Sequence, residues 1–245
     1  MPLRPVLRAA FGRNPAELQA FAQRFSWQTT ETDWRRLVAR DDIELVDICT
    51  SNATHMPIAV AAAQAGKHIL CEKPLALNAD EARRMLDAAR EAGVCHMVAF
   101  NYRRVLAIAL AKQWIEQEKI GRIYHFNAVY YQDWLVDPDS PFTWRHNVQE
   151  AGSGAHGDLN AHIVDLARYL VGEIEAVSGA QETFIKERPF RDQAGKGQVT
   201  VDDATLFLAR FHNGALGCFQ TTRFATGRKN FPAPRGLRQR RCASL

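Results

Sequence analysis

Short apolar segments alternate with helix-forming segments through the first hundred residues. Residues 44–50, 67–72 and 94–100 are brief and largely apolar, as are strands that are buried on both faces. The segments between them carry helix signals, such as Asn78 three residues before Glu81, which is the pattern of a capping box. Strands that alternate with helices form parallel sheets with helices on both faces. The first half is therefore predicted to be a doubly wound α/β domain.

The second half has a different pattern. Residues 122–134 and 175–187 are long runs with aromatic or β-branched residues, and 204–224 read as two strands joined at Asn213-Gly214. The Asn-Gly pair is a strong signal for a hairpin. A helix is predicted over 158–172 between these strands. Long, partly alternating strands are typical of a largely antiparallel open sheet, so we predict an α+β domain here.

Composition limits the class of protein. Of the 245 residues, 47% are hydrophobic and 24% are charged, as in globular proteins, and the longest apolar stretches are too short to cross a bilayer. We therefore predict no membrane association. The five cysteines form no C-x-x-C pair and no metal-ligand spacing with histidine, which predicts a reducing, cytoplasmic setting and no metal site.

The basic residues are concentrated at the end of the chain. The net charge is +4, but no acidic residue follows Asp203, whereas eight basic residues do. A basic tail can bind nucleic acid. This one lacks the interleaved aromatic residues of a single-strand binder and has no periodic pattern, so we predict no nucleic-acid partner.

Residues 152–157, "GSGAHG", match the G-x-G-x-x-G pattern of dinucleotide-binding loops. That loop works only when a strand comes directly before it, inside a βαβ unit. Residues 144–151 are polar and lack strand character. We therefore interpret 152–157 as a flexible loop that leads to a helix N-cap at Asp158.

Asp158, His162 and Asp165 are spaced four and three residues apart, which places them on one face of the predicted helix. An acid one turn before a histidine can accept its N–H and hold the ring as a base. The alternative is structural: Asp158 caps the helix and His162 is an ordinary surface histidine. The spacing alone does not decide between them.

Lys73 follows the apolar segment 67–72 and precedes Pro74. If the segment is a parallel strand, the lysine lies at its carboxyl end, where open α/β sheets bind ligands, and it could stabilise a developing alkoxide. It could equally be a solvated loop lysine. Residues 49–57 end another such strand and bring hydroxyl, amide and imidazole groups to the same edge; Thr54 or Asn52 would also serve there as a helix N-cap.

Several segments, in this order, carry a resemblance to a known family. They are "DICTSNATH" (47–55), "AGKHILCEKPLALN" (65–78), "AFNYRR" (99–104), Trp144-Arg145 and "GSGAHGDLNAHIVDLARYLVG" (152–172). Together they resemble the Gfo/Idh/MocA family of oxidoreductases over most of the chain. The resemblance implies a Rossmann domain that holds NAD or NADP and an α+β domain that closes over a sugar or polyol. It also implies hydride transfer between a carbinol carbon and the nicotinamide.

The resemblance implies roles for individual residues. Lys73 would orient the substrate hydroxyl and lower its pKa, and His162, oriented by Asp158, would be general base in oxidation and general acid in reduction. The implied cofactor-binding residues are Arg13, Thr50, Ser51, Asn52, His55, Glu72, Lys73, Asn101, Trp144 and Arg145. The implied substrate contacts are Lys73, Tyr102, Tyr131, Trp134, His156, Asp158 and His162. Asn160 stands where the family usually has a small residue, which would alter the pocket.

Departures from the family pattern lead to further expectations. No glycine loop precedes residues 5–13, and Arg13 replaces the acid expected after that strand, which would suit the 2′-phosphate of NADP. We expect a chain truncated at both ends. Its domains would be 1–104 (an incomplete Rossmann-type nucleotide-binding domain), 105–231 (a substrate and oligomerisation domain) and 232–245 (a disordered basic tail).

Two functions follow from these expectations. The first is an NAD(P)-dependent sugar or polyol dehydrogenase, with weakened activity because the dinucleotide loop is missing. The alternative is a non-catalytic sugar-binding or regulatory pseudoenzyme. The long strands of the second domain also predict a homo-oligomer formed through their sheet.

Overall fold

The computed structural model describes residues 5–238 and 243–244, with side chains up to Pro234. The chain divides into two compact units, one that ends at Ala99 and one that starts at Phe100, five residues before the domain boundary expected from sequence. Among the described residues, no helix is long and apolar enough to span a membrane.

The first unit contains two parallel sheets. Its strands are β1 (Ala9–Phe11), β2 (Thr29–Glu31), β3 (Leu45–Ile48), β4 (His68–Cys71) and β5 (His96–Val98). Its helices are α1 (Pro15–Phe25), α2 (Trp34–Val38), α3 (His55–Gln64) and α4 (Ala79–Glu91). β1 pairs with β2, and β3, β4 and β5 pair in that order. Residues from both sheets, among them Ala9 and Val46, belong to one hydrophobic core.

Capping side chains mark the starts of α1 and α4, the second of which the sequence predicts. Asn14 accepts hydrogen bonds from the N–H groups of Ala16 and Glu17 at the start of α1, and Asn78 accepts one from Glu81 at the start of α4. Each cap satisfies amides that have no partner inside the helix. The sequence patterns therefore fix where these helices begin.

The cover of the β3–β4–β5 sheet differs from the prediction. α3 packs against β3 and β4 and against α4, and the side chains of Val46, Ile48, Ile69 and Cys71 on this face are buried. The other face carries the exposed side chains of Leu45 and Met97. The strands therefore alternate between buried and exposed positions instead of being buried on both sides.

The second unit is built on a six-stranded mixed sheet. The strands of this unit are β6 (Ile123–Tyr131), β7 (Ile174–Glu182), β8 (Glu187–Pro189), β9 (Lys196–Gln198), β10 (Ala204–Phe211), β11 (Leu216–Thr222), β12 (Phe231–Arg238) and β13 (Ala243–Ser244). Its helices are α5 (Leu106–Glu116), α6 (Val148–Ala151) and α7 (Ala161–Leu170). The six-stranded order is β13-β12-β6-β11-β10-β7, in which only β6 and β11 are parallel, and β8 and β9 form a separate antiparallel pair.

Alternation along these strands separates a covered face from an open face. α7 packs its apolar side chains against Phe126, Phe211 and Phe219 of the covered face. The opposite face carries the exposed side chains of Leu206, Leu208 and Leu216. The predicted hairpin joins β10 to β11, with Gly214 at a φ of +84° that favours glycine.

The end of the chain differs from the predicted disordered tail. Residues 231–238 form β12, which pairs with β6, and β13 pairs with β12. Strand pairing uses backbone groups of the β6 edge, so side-chain composition gives little sign of it. Positions 239–242 and 245 lie outside the described residues.

Candidate active site

In the first unit, the strand ends bring polar residues to one sheet edge. Ile48 of β3 pairs with Cys71 of β4, so the residues that follow, Thr50 on one side and Glu72-Lys73 on the other, leave the sheet at the same level. Thr50, Glu72 and Lys73 are half-buried, and the Lys73–Pro74 peptide bond is cis. This is the edge at which open α/β sheets bind ligands.

His55 connects the two loops at this edge. Its side chain is buried, with Nδ1 at 3.0 Å from the Pro74 carbonyl oxygen and Nε2 at 3.1 Å from the Thr50 carbonyl oxygen. A neutral ring has one N–H and donates to one of these oxygens at a time. The structure therefore places His55 as a support between the loops, where the sequence predicts a direct cofactor contact.

In the second unit, Asp202 holds the glycine loop. Its carboxylate accepts from the N–H groups of Gly154 and His156, both at 2.7 Å, and its backbone oxygen accepts from Ala155 at 3.0 Å. A Cβ on Gly154 would lie 1.7 Å from that backbone oxygen. Glycine at this position therefore allows a close backbone approach to Asp202. In a phosphate-binding loop such amides donate to the phosphate. Here they donate to Asp202 instead.

Asp158 has a different role from the predicted helix cap. Residues His156–Asn160 form one π-helical turn that continues into α7, and the cap bonds come from Asp202. The Asp158 carboxylate accepts a hydrogen bond from Nη2 of Arg223 at 2.8 Å. π-helical turns are rare in proteins, and those that occur are often found at functional sites.

His162 lies in an aromatic environment at the start of α7. Its ring is buried and stacks on Tyr102, with centroids 4.3 Å apart, while Tyr130 lies 6.0 Å away. The hydroxyls of Tyr102 and Tyr130 are 2.8 Å apart. Burial, and next the hydroxyl of Tyr102, raise the pKa of Tyr130, so its hydroxyl is neutral at physiological pH. His162 is therefore not the solvated surface histidine of the structural alternative.

Asp165, on the same helical face, forms an ion pair. Its carboxylate accepts hydrogen bonds from Nε of Arg103, at 2.7 Å, and from Nη2 of Arg103, at 2.5 Å. The Arg103 guanidinium also lies over the ring of Tyr169. This bidentate pair fixes the turn at residues 101–104 against α7. Tyr102, in that turn, is thereby held on His162.

A chain of polar side chains extends from the two tyrosines. The Asn230 Oδ1 accepts from the Tyr130 hydroxyl at 2.8 Å and from Gln132 Nε2 at 3.1 Å. Trp134 Nε1 donates to Gln132 Oε1 at 2.8 Å, and the guanidinium of Arg223 lies 5.1 Å from the Trp134 ring. The chain thus leads from the tyrosines beside His162 back to the arginine that binds Asp158. We call this group the polar ring: Tyr102, Tyr130, Gln132, Trp134, Arg223 and Asn230.

Besides Lys73, Asp158 and His162, four substrate contacts were predicted, of which two belong to the polar ring and two do not. Tyr102 and Trp134 are members. Tyr131 lies on the open face of β6, where its hydroxyl donates to Gln220, because neighbouring residues of a strand point to opposite faces. His156 is exposed and makes an edge contact with Phe207.

The remaining predicted residues have individual environments. Trp144 is half-buried under the guanidinium of Arg145, which lies 4.4 Å from its ring, and Asn101 is exposed. Asn160 is buried, with Nδ2 at 3.2 Å from the Nδ1 of His156. Arg13 is exposed, two residues after the end of β1.

Sequence reasoning missed five residues that the site uses: Tyr130, Gln132, Asp202, Arg223 and Asn230. The alternation of β6 could have identified Tyr130, since it shares a face with the buried Phe126 and Ala128. Asp202, Arg223 and Asn230 are 46 to 100 residues from the site partners named above, and their local sequence carries no corresponding signal.

The residues at the carboxyl edge of β3 and β4 fit part of a dinucleotide. Thr50, Ser51, Asn52 and Glu72 supply hydroxyl, amide and carboxylate groups, which suit ribose hydroxyls and a nicotinamide amide. The loop 152–157 does not fit a pyrophosphate, because Asp202 occupies its amides. The fit therefore covers the nicotinamide and ribose portions.

Comparison with known proteins decides the family. Residues 4–100 match an oxidoreductase family with an NAD-binding Rossmann fold, and residues 108–241 match the Gfo/Idh/MocA C-terminal domain. The chain belongs to the Gfo/Idh/MocA family. The family predicted from the sequence is thus confirmed, as is the fold class of a Rossmann domain followed by an α+β domain.

Several members of the Gfo/Idh/MocA family are similar to this chain. Levoglucosan dehydrogenase of Pseudarthrobacter phenanthrenivorans is 46% identical over 242 residues, which cover 94% of this chain and 62% of that protein. A 1,5-anhydro-D-fructose reductase of Ensifer adhaerens is 32% identical over 232 residues, 89% of this chain and 65% of that protein. A solved levoglucosan dehydrogenase in complex with NADH and levoglucosan has a TM-score of 0.95 at 46% identity, and the match covers 98% of this chain and 64% of that one. The chain thus spans less than two thirds of these relatives.

Proposed function

We propose that this protein is a nicotinamide-dependent oxidoreductase that transfers a hydride between a carbinol carbon of a sugar or polyol and the nicotinamide. Three features carry this proposal: the buried His162, the Asp158 carboxylate four residues before it that binds Arg223, and the polar ring in the same unit. Membership in the Gfo/Idh/MocA family and similarity to a levoglucosan dehydrogenase support it.

Each catalytic group has a separate task. A bound nicotinamide would exchange the hydride. His162 takes the proton of the substrate hydroxyl in oxidation and returns it in reduction, and Asp158 stabilises the imidazolium. Lys73 stabilises the developing alkoxide by its positive charge. The polar ring supplies Tyr130, Asn230 and Gln132 for further hydroxyls of the substrate, and Trp134 for an apolar sugar face.

The cofactor would be held mainly by the first unit. Thr50, Ser51, Asn52 and Glu72 would hold the ribose and nicotinamide, while His55 fixes the loops on which they stand. Asn101 and the Trp144-Arg145 pair are proposed at the nicotinamide. Arg13 would favour a 2′-phosphate, so we propose that NADP is accepted as well as NAD.

The test is a cofactor titration followed by an activity screen. NADH and NADPH fluorescence is titrated against the purified chain, and oxidation of sugars, including levoglucosan and inositols, is followed by absorbance. We expect Lys73→Ala and His162→Ala each to lower kcat by about 100-fold or more, since each removes a group used in the transition state. The exposed Lys119 and His125 provide matched controls as Lys119→Ala and His125→Ala.

The double variant tests whether the two groups serve one reaction. If they do, Lys73→Ala/His162→Ala should lose little more activity than either single variant, because groups that act together are not additive. Retained turnover in either single variant would contradict the assignment. Sugar binding without cofactor binding in the unmodified chain would favour the non-catalytic sugar-binding reading instead.

We also propose that the protein forms a homo-oligomer through the open face of the six-stranded sheet. Leu206, Leu208 and Leu216 are exposed side by side on that face. Contiguous exposed apolar patches on globular proteins mark interaction sites.

The predicted cytoplasmic location stays a prediction.

A further inference from the structure

Arg223 is buried deeply for a charged residue. Its side chain is 2% exposed, and it reaches the covered side of the sheet from the segment after β11. One nitrogen, Nη2, donates to Asp158 at 2.8 Å and to the Gly154 carbonyl oxygen at 3.3 Å. Burying a guanidinium is costly unless it is paired and hydrogen-bonded, so the burial is tied to these contacts.

The contacts of Arg223 act on the turn that carries Asp158. The Gly154 oxygen precedes the π-helical turn, and Asp158 lies within it. Asp202 holds the amides of the same loop. Arg223 thus binds both the backbone entering the turn and the carboxylate within it, while Trp134 covers its guanidinium.

We propose that Arg223 is a positioning residue for the proposed reaction: by donating to Oδ2 of Asp158 it fixes the orientation of the carboxylate, so that Oδ1 can accept a hydrogen bond from the imidazole of His162. The inference rests on the proposed function of Asp158 and His162. A carboxylate fixed at one oxygen presents the other oxygen in one direction, so it faces one nitrogen of the His162 ring and favours the tautomer that carries the proton there. Lysine is a poor replacement for Arg223, because an ammonium lacks the planar guanidinium that lies over the ring of Trp134 while Nη2 binds Asp158.

Arg188 provides a matched control. It is also fully buried, but its guanidinium donates to the carbonyl oxygens of Leu135 at 2.7 Å and Asp137 at 2.8 Å. Arg188→Lys therefore repeats the chemical change of Arg223→Lys at a buried site that does not bind Asp158. Both variants are first compared with the unmodified chain by thermal unfolding.

The first readout does not depend on cofactor or turnover. Long-range ¹⁵N–¹H NMR spectra of the imidazole groups at pH 8 report the tautomer of each histidine. We expect one dominant tautomer for His162 in the unmodified chain and in Arg188→Lys, and a mixture in Arg223→Lys and Arg223→Met. A mixture in the unmodified chain, or a single tautomer in all variants, would overturn the proposal.

The second readout is kinetic. We expect Arg223→Lys to lower kcat by about 10- to 100-fold while KM for the nucleotide changes less than about twofold, as for a misplaced catalytic group. An equal loss in Arg188→Lys would make the effect general destabilisation and would contradict the proposal. If the unmodified chain oxidises no sugar, the proposed function fails, and the NMR readout still decides whether Arg223 fixes Asp158 and His162.

Discussion

At the scale of single residues, the site depends on which of two adjacent side chains points inward. Tyr130 and Tyr131 are neighbours with the same chemistry, but strand alternation sends Tyr130 to the ring of His162 and Tyr131 to the open face. The local sequence makes the two look interchangeable. The covered face of the sheet distinguishes them.

The two tyrosines form a matched pair of variants. We expect Tyr130→Phe to raise KM for the sugar about 5- to 20-fold, because it removes a hydroxyl that joins Tyr102 to Asn230. Tyr131→Phe should leave KM within about twofold of the unmodified value. Steady-state kinetics with a saturating nucleotide measures both, and equal effects of the two substitutions would contradict the placement of the substrate.

The protonation state of the buried His146 also depends on residues that are distant in the sequence. His146 is fully buried, and burial together with the nearby guanidinium charges of Arg188 and Arg223 lowers its pKa to about 4. Its Nδ1 accepts from the Thr143 amide at 2.9 Å, which is the pattern of a neutral ring. The histidine therefore closes the turn before α6 as an uncharged group at physiological pH.

At the scale of elements, the start of α7 is shaped by a clamp. Asp202 accepts hydrogen bonds from the amides of the glycine loop. Arg223 donates to the Asp158 carboxylate and to the Gly154 carbonyl oxygen. A π-helical turn shifts the residues that follow it relative to an α-helix. The Asp158–His162 spacing, read as one α-helical turn from sequence, is therefore set by this turn.

Two glycines of the loop test the clamp. We expect Gly154→Ala to lower the free energy of unfolding by more than about 2 kcal/mol, because its Cβ would overlap the Asp202 backbone. Gly157→Ala should cost less than about 1 kcal/mol, since its Cβ would meet only the Ser153 hydroxyl, which can rotate away. Urea unfolding measures the two changes, and a larger loss for Gly157→Ala would contradict the clamp.

At the scale of the whole molecule, the open face of the six-stranded sheet stands out because it exposes apolar side chains. Leu208, 62% exposed, lies on this face two residues after Leu206 on β10. Burying apolar surface of this kind against another subunit removes it from water and so stabilises the assembly. The proposal of a homo-oligomer follows from that area.

The oligomer proposal predicts a change in mass. We expect the unmodified chain to be at least dimeric at micromolar concentration by light scattering, and Leu208→Glu to shift it to monomer, because a buried carboxylate is costly. Leu106→Glu, at an exposed leucine of α5, is the control and should leave the mass unchanged. A monomeric unmodified chain would remove the proposal.

The sequence by itself determined what depends on neighbouring residues. Periodicity and capping residues defined most of the helices and strands, because these signals act within one or two turns. The order of motifs identified the family, and with it Lys73, Asp158 and His162 as candidates. The short strands β2, β8 and β9 gave no pattern long enough to detect.

Only the tertiary structure decided what those candidates contact. Whether Asp158 caps a helix or binds a cation depended on Arg223, 65 residues away, and the cap itself came from Asp202. His55 became a support because the Pro74 carbonyl oxygen lies 3.0 Å from its ring. Local patterns specify elements, whereas the partner of a buried polar group is chosen by which distant groups the packed fold brings within hydrogen-bonding distance.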